Sequence, residues 1–257
     1  MTLGPSRAAL SVPRGSLRGM ARLLAVLLLA VLMGGCVLPR VTATRATPTR
    51  STPSPTPMAV GAPAVDVASA RADLASLPVK GRAPMTGYDR AAFGQPWSDD
   101  TDDQWGHNGC DTRNDVLRRD LRDVDLDPRT HGCVVLTGTL ADPYSGDAIA
   151  FVRGIATSIA VQIDHVVALG DAWQKGAQQW TPEKRQAFAN DPRELLAVSG
   201  SLNASKGDGD AATWLPPFKQ YRCAYVARQV AVKRAYGLWV TAAERNAIAR
   251  VLASCGP

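Results

Sequence analysis

Asp164 and His165, adjacent in the string Q-I-D-H-V-V-A-L, are the residues of this chain best suited to chemistry. The segment Val161–His165 alternates apolar and polar residues and reads as a short strand. Successive strand residues point to opposite faces, so where the chain turns, one of the pair can bind a metal while the other addresses a water. The same pair also reads as an Asp164 helix N-cap beside a partly buried His165. Further on, N-A-S-K-G-D-G-D places Asn203 and Lys206 one helical turn apart. Asn203 is an oxygen ligand or an N-cap, and Lys206 is a point charge for a phosphate or a solvated side chain. Asp208 and Asp210 follow closely enough to complete a metal shell through water. Arg113, in G-C-D-T-R-N-D-V-L, can hold two phosphate oxygens with its planar guanidinium, or pair with Asp111 or Asp115. His107 and His131 sit in no ligand spacing and read as surface or structural. The scattered tryptophans Trp97, Trp105, Trp173, Trp180, Trp214 and Trp239 read as core, lacking the close interleaving of a base-stacking platform.

The elements that must position these residues follow from spacing and punctuation. Asp111 or Thr112 can cap a helix on which Val116 or Leu117, Leu121 and Val124 recur at helical intervals. Two β-prone stretches, 131–140 and 148–153, flank the turn formers Asp142, Pro143, Ser145 and Gly146 and predict a hairpin. After the strand ending at His165, residues 166–175 look helical, and Pro182 behind Thr181 opens a helix that runs to about Asn190. Leu195, Leu196 and Val198 suggest a second short strand. Two helices close the chain: 218–236 ends at Gly237, and Thr241 with Glu244 forms a capping box ahead of Ile248, Val251 and Leu252. The sum is an α+β domain with small strands and several helices.

The N-terminus has a different character. Arg14, Arg18 and Arg22 precede an apolar run, 23–33, that is short for a membrane span and is followed by Gly34, Gly35 and Cys36. This resembles a lipoprotein signal cut before Cys36, with Met33 where such signals usually carry Leu; an ordinary cleaved signal is the other reading. Residues 37–64 are rich in Thr, Pro, Ser, Ala and Arg, hold no acid and show no apolar period, so they read as a tether. The expected division is therefore a signal over 1–35, a tether over 36–65 and one folded domain over 66–257. The first 65 residues hold seven Arg and no acid, leaving 22 of the 29 basic side chains against all 23 acidic ones. The domain itself is near neutral, so the chain's net charge of +6 is no argument for nucleic-acid binding. With Cys36 lipidated, Cys110, Cys133, Cys223 and Cys255 remain, an even number suited to an oxidising compartment. Of three possible pairings, Cys110 with Cys133 and Cys223 with Cys255 is expected, since each pair lies within one local unit. No C-x-x-C spacing argues for zinc.

The strings V-Q-I-D-H-V-V-A-L-G-D-A-W, F-A-N-D-P-x-x-L-L-A-V, N-x-x-K-G-D, D-A-A-T-W-L-P-P and Y-R-C-A-Y-V-A-R resemble a group of secreted bacterial HNH (His-Asn-His) proteins. Their nuclease region is similar to the C-terminal part of the GmrSD modification-dependent restriction enzymes, and the resemblance runs from about Trp97 onward. It implies a ββα-metal (His-Me finger) core: a strand ending at His165, a second strand over 194–199 and a helix beginning near Asn203, with extra helices between and a β-hairpin before. By that resemblance His165 is the general base and Asp164 and Asn203 ligate one divalent cation; their hard oxygen donors suit magnesium or manganese. The substrate would be nucleic acid, DNA in preference to RNA, cut outside the cytoplasm by a lipid-anchored or secreted enzyme. Glu194 departs from the pattern, which has Asn there to fix the loop bearing the catalytic histidine. An ionised carboxylate accepts hydrogen bonds but donates none, so Glu194 is tolerated, moves toward the metal, or impairs catalysis. Reduced but detectable activity is the expectation, with Glu194→Asn raising it. Two alternatives stand beside this reading: a lipid-anchored nucleic-acid or envelope-binding module on the same scaffold, and a hydrolase of other envelope phosphodiesters.

Overall fold

In the computed structural model the chain divides between Thr52 and Pro53 into two units. The structure describes residues 66–103 and 105–256, all in the second unit. The expected signal, Cys36 and the tether lie outside the described residues. Among the described residues no helix is long and apolar enough to cross a membrane.

The elements run α1 (Val67–Ser76), α2 (Thr112–Asp120), β1 (Leu121–Leu126), β2 (Val135–Ala141), β3 (Ala148–Val152), β4 (Val161–His165), α3 (Leu169–Gln174), α4 (Pro182–Asn190), β5 (Leu195–Ser199), α5 (Gly200–Lys206), α6 (Arg222–Tyr236) and α7 (Ala242–Ala253). The expected hairpin, strand at Val161–His165, helix from Pro182 and closing helices are all present. Asp111 caps α2 by accepting from the Asn114 N–H, Gly237 ends α6 in the left-handed region at φ 72°, and Thr241 and Glu244 cap α7 reciprocally.

The helix expected to continue through Val124 stops at Asp120. Leu121–Leu126 instead becomes the edge strand of an antiparallel sheet, β1-β2-β3. The cause is a bulge: the register slips between Arg122 and Asp125, and Asp123 takes φ 52°. In a regular strand Leu121 and Val124 would face opposite ways. The extra residue lets both pack in the core that holds Val116, Leu117, Leu140 and Phe151, so an i, i+3 spacing that mimics a helix is produced by a strand. Two further elements are misjudged at their ends. Residues 166–168 form a turn, so α3 begins only at Leu169, and α5 begins at Gly200, which puts Asn203 inside the helix rather than at its cap.

β4 and β5 pair antiparallel, Asp164 opposite Leu196 and His165 opposite Leu195, as a ribbon buried on both faces. Val161, Ile163, Leu195 and Ala197 pack toward α2 and the three-stranded sheet, while Leu196 and Val198 pack toward α1, α6 and α7. Two-sided burial explains why Leu195–Ser199 reads as an unbroken apolar run. A third core gathers Phe93, α3 and α4 with Val232 and Leu238. Helix α5 follows β5 without a loop and packs on both strands. Gly200 permits that junction, because a Cβ there would stand 1.9 Å from the Ile159 carbonyl. Cys110 lies at disulfide distance from Cys133 and Cys223 from Cys255, with Cα separations of 5.1 and 6.0 Å, as the spacing led us to expect. The second pair staples the start of α6 to the end of α7.

Candidate functional site

The end of β4 and the body of α5 open onto one cleft of about 410 Å³. Asp164, His165, Asn203 and Asp208 all line it, together with Arg90. Residues far apart in sequence are thus gathered because the ribbon turns directly into α5. Asp208 sits against α3: a Cβ at Gly170 would come within 2.5 Å of its carboxylate, so only glycine admits it.

Asp164 is 3% exposed. Its Oδ1 accepts from Lys206 Nζ at 2.9 Å and its Oδ2 from the Tyr144 hydroxyl at 2.5 Å. The same Lys206 Nζ donates to the His165 carbonyl at 2.8 Å. Lys206 is therefore an internal brace without exposed side-chain surface, and the phosphate contact expected of it is not open to it as placed. The reason is steric and electrostatic: Asn203 and Lys206 lie on neighbouring faces of a short helix, and the buried carboxylate draws the ammonium inward. Tyr144 arrives from the β2–β3 turn, which Asp142 ties to β5 by accepting from the Ser199 N–H at 3.0 Å. Burial, and the adjacent Asp164 carboxylate, push the Tyr144 phenol well above its usual range, so it remains a donor.

His165 is 7% exposed. Its ring stacks on Trp97, centroids 5.9 Å apart and planes 20° from parallel, and its Nε2 lies 3.0 Å from the Ala189 carbonyl. A carbonyl only accepts, so Nε2 carries the proton and Nδ1 keeps the lone pair. Burial, with the positive charges of Arg90 and Lys206, lowers the imidazole to about 3 against the pull of the Ala189 bond. The ring is held neutral.

Glu194 is fully buried and does not line the cleft. Both its oxygens accept from the Val167 N–H, at 3.0 and 3.1 Å. Burial pushes its carboxyl well above the usual glutamate range, although the Val167 N–H and Lys206 favour the charged form. Arg113 also lies away from the cleft, its guanidinium 5.8 Å over the Phe151 ring. Asp210 turns inward to Lys175 and Arg82. His107 and His131 are exposed, as expected.

Among the described residues no three His, Cys, Asp or Glu side chains gather as a cage for a metal ion. Asp164, Asn203, Asp208 and Gln162 are the lining residues with side-chain oxygens, and each Asp164 oxygen retains a lone pair beyond its present bond. Hard donors in that small number suit a cation that keeps much of its water, as magnesium does. Sequence reasoning missed Arg90, Trp97 and Tyr144 as parts of the site. No local signal marks the first, and the aromatic pair are core residues that happen to touch the Asp-His pair.

The ribbon and the helix that follows it thus bring an Asp-His pair, an amide and an exposed arginine onto one cleft of a mixed α+β domain. Residues 111–251 match the family described as GmrSD restriction endonucleases, C-terminal domain. The chain is also 36% identical over 207 residues to an uncharacterized secreted protein of Arthroderma benhamiae, an alignment spanning 79% of this chain and 92% of the relative. The chain belongs to the GmrSD C-terminal domain family, whose domains are nuclease-like. The relative is fungal, so the likeness is not confined to bacterial proteins. No solved structure matches the chain.

Proposed function

We propose that the protein is an endonuclease of the HNH type that hydrolyses nucleic-acid phosphodiesters, DNA in preference to RNA, outside the cytoplasm. The observation that carries this reading is the shared cleft of Asp164, His165, Asn203 and Arg90, with His165 held neutral and its Nε2 already committed to Ala189. Nδ1 takes a proton from water, the water oxygen bonds to phosphorus, and the bond from phosphorus to the 3′ oxygen breaks, the leaving oxygen gaining its proton from solvent. Arg90 meets the phosphate with a guanidinium that can hold two oxygens. A phosphate there also offsets the field of Arg90, and so raises the basicity of His165 when substrate is present. Asp164 and Asn203, with Asp208 through water, would hold magnesium or manganese, which supplies positive charge for the leaving oxygen. The secreted relative and the paired cysteines support an extracytoplasmic site, with the lipid at Cys36 as the proposed anchor.

Glu194 weighs less against activity than its type suggests. Its carboxyl already holds the turn after His165 and stays out of the cleft, which supports toleration among the three outcomes considered. The test is cleavage of plasmid DNA with Mg²⁺ or Mn²⁺ by the parent, by His165→Ala and by Glu194→Asn. Loss of cutting in His165→Ala alone is expected. Equal rates in the parent and His165→Ala would refute the proposal, and DNA binding without cutting in the parent would favour the binding module.

A further inference from the structure

Four consecutive backbone polar groups follow the His165 side chain, and each has a fixed partner. The His165 carbonyl takes Lys206 Nζ, and the Val166 N–H donates to the Glu194 carbonyl at 3.0 Å. The next peptide unit, Val166 to Val167, is held at both ends by side chains. Glu194 accepts its N–H, and Gln229, on α6, donates Nε2 to its carbonyl at 2.9 Å. The N–H and C=O of one trans peptide point in opposite directions, so no single amide could hold both. Here the acceptor comes from the residue just before β5 and the donor from α6.

Gln229 is 1% exposed, and its Oε1 has no partner, while Nε2 also meets the Tyr225 hydroxyl at 3.0 Å. Exchanging its oxygen and nitrogen would set Oε1 against the Val166 carbonyl, two acceptors without a proton, so the orientation follows from the network. A buried amide with an orphaned oxygen is costly, and a leucine of similar size would avoid that cost. What a leucine lacks is the donor. Without it the Val166 carbonyl is unsatisfied, and the peptide that fixes the exit from β4 is held at its N–H end alone.

We infer that Gln229 is a positioning residue for His165, clamping the Val166–Val167 peptide from the side opposite Glu194 and so setting the imidazole against Trp97 and the Ala189 carbonyl. This rests on the reading of His165 as the base. Gln229→Leu and Gln229→Glu in the full chain test it, assayed by plasmid cleavage with Mg²⁺ or Mn²⁺, by hydrogen exchange at the Val167 amide and by the His165 ring signals in NMR. For Gln229→Leu the expectation is a fall in kcat of about tenfold with KM unchanged, and Val167 exchange faster by about tenfold. Gln229→Glu should be impaired at pH 8 and recover toward pH 5, where its protonated carboxyl donates to the Val166 carbonyl; the burial of the position raises the proton affinity of a carboxyl there. Should Gln229→Leu fail to fold, the pH recovery of Gln229→Glu decides. Undiminished kcat in folded Gln229→Leu, or a loss in Gln229→Glu that is flat with pH, overturns the inference. If the parent cuts no DNA, the nuclease proposal fails separately, and the clamp stands or falls on whether Val167 exchange and the His165 ring signals change in Gln229→Leu.

Discussion

Glu194→Gln isolates the electrostatic cost of the carboxyl behind the His165 turn. The side chain is fully buried, and its partner is the single N–H of Val167. Burial raises its folded-state pKa well above 4.5, so the folded protein holds this proton more tightly than the unfolded chain does. The sign follows from linkage. The stabilisation is complete below pH 4.5, where both states are protonated, and is lost as pH rises toward the folded-state value. In that window the parent loses up to about 1.4 kcal/mol per pH unit from this group. The glutamine does not titrate; it keeps the bond from Val167 to Oε1 but buries an amide nitrogen, a pH-independent cost of about 1–3 kcal/mol. Urea unfolding of parent and variant from pH 4 to pH 8, disulfides intact, should show the variant weaker at pH 4 and gaining on the parent with each unit above 4.5. A stability difference that stays constant over the whole range refutes the argument, because it would mean that the carboxyl titrates alike folded and unfolded.

Other consequences follow from the same geometry. The His165 imidazole should show no NMR titration between pH 8 and 5, and its contribution to stability, present above pH 6.5, should fade as pH falls toward 3; a midpoint near 6.5 would contradict the burial of the ring. Lys206→Met strands the buried Asp164 carboxylate and should cost about 3–5 kcal/mol in urea unfolding, against about 1 kcal/mol for Tyr144→Phe. Arg90→Ala should raise KM for DNA about tenfold and flatten its salt dependence with little loss of stability, since the residue is exposed. Replacing Cys223 and Cys255 with serine opens a link with a sequence separation of 32 and should cost about 3.5 kcal/mol, read as a lower urea midpoint.

What was legible in the sequence was what local chemistry writes. Thr181-Pro182, Thr241 with Glu244, and Gly237 mark helix ends because capping uses residues within one turn of each other. The strand ending in Asp164 and His165, and its partner over Leu195–Ser199, were visible from alternation and from an apolar run. Both disulfides could be paired because each lies within a local unit. The strand at Leu121–Leu126 was not legible, since its bulge gives the spacing of a helix. At the site, resemblance supplied the Asp-His pair and Asn203, which the structure brings to one cleft. Residue type and spacing also offered Lys206 and Arg113 as phosphate contacts, whereas one is buried against Asp164 and the other lies on Phe151. Arg90, Tyr144 and Gln229 reach the pair from other elements, and no pattern in their neighbourhoods records that.

The unread part is polar and long-range for a common physical reason. Asp171 on α3, Lys175 at its C-terminal cap, Lys233 on α6, Glu244 on α7 and Asp210 after α5 form one buried network, with Arg82 at its edge. It holds three acids and three bases, so its formal charge cancels, and each buried ion has an opposite charge within 2.8 Å. Such a set adds little net stability over apolar packing, but removing any one of its buried members leaves one charge of the set uncompensated, at a cost of about 3–5 kcal/mol. Its effect is on placement. It fixes α3 and the segment carrying Asp208 and Asp210 relative to α6, and α6 carries Gln229. The two sides of the cleft, α5 with its following loop and the turn after His165, are thereby referred to the same helix. A hydrophobic contact among these elements would tolerate sliding by a fraction of a side chain, whereas a charge network with defined donors and acceptors does not.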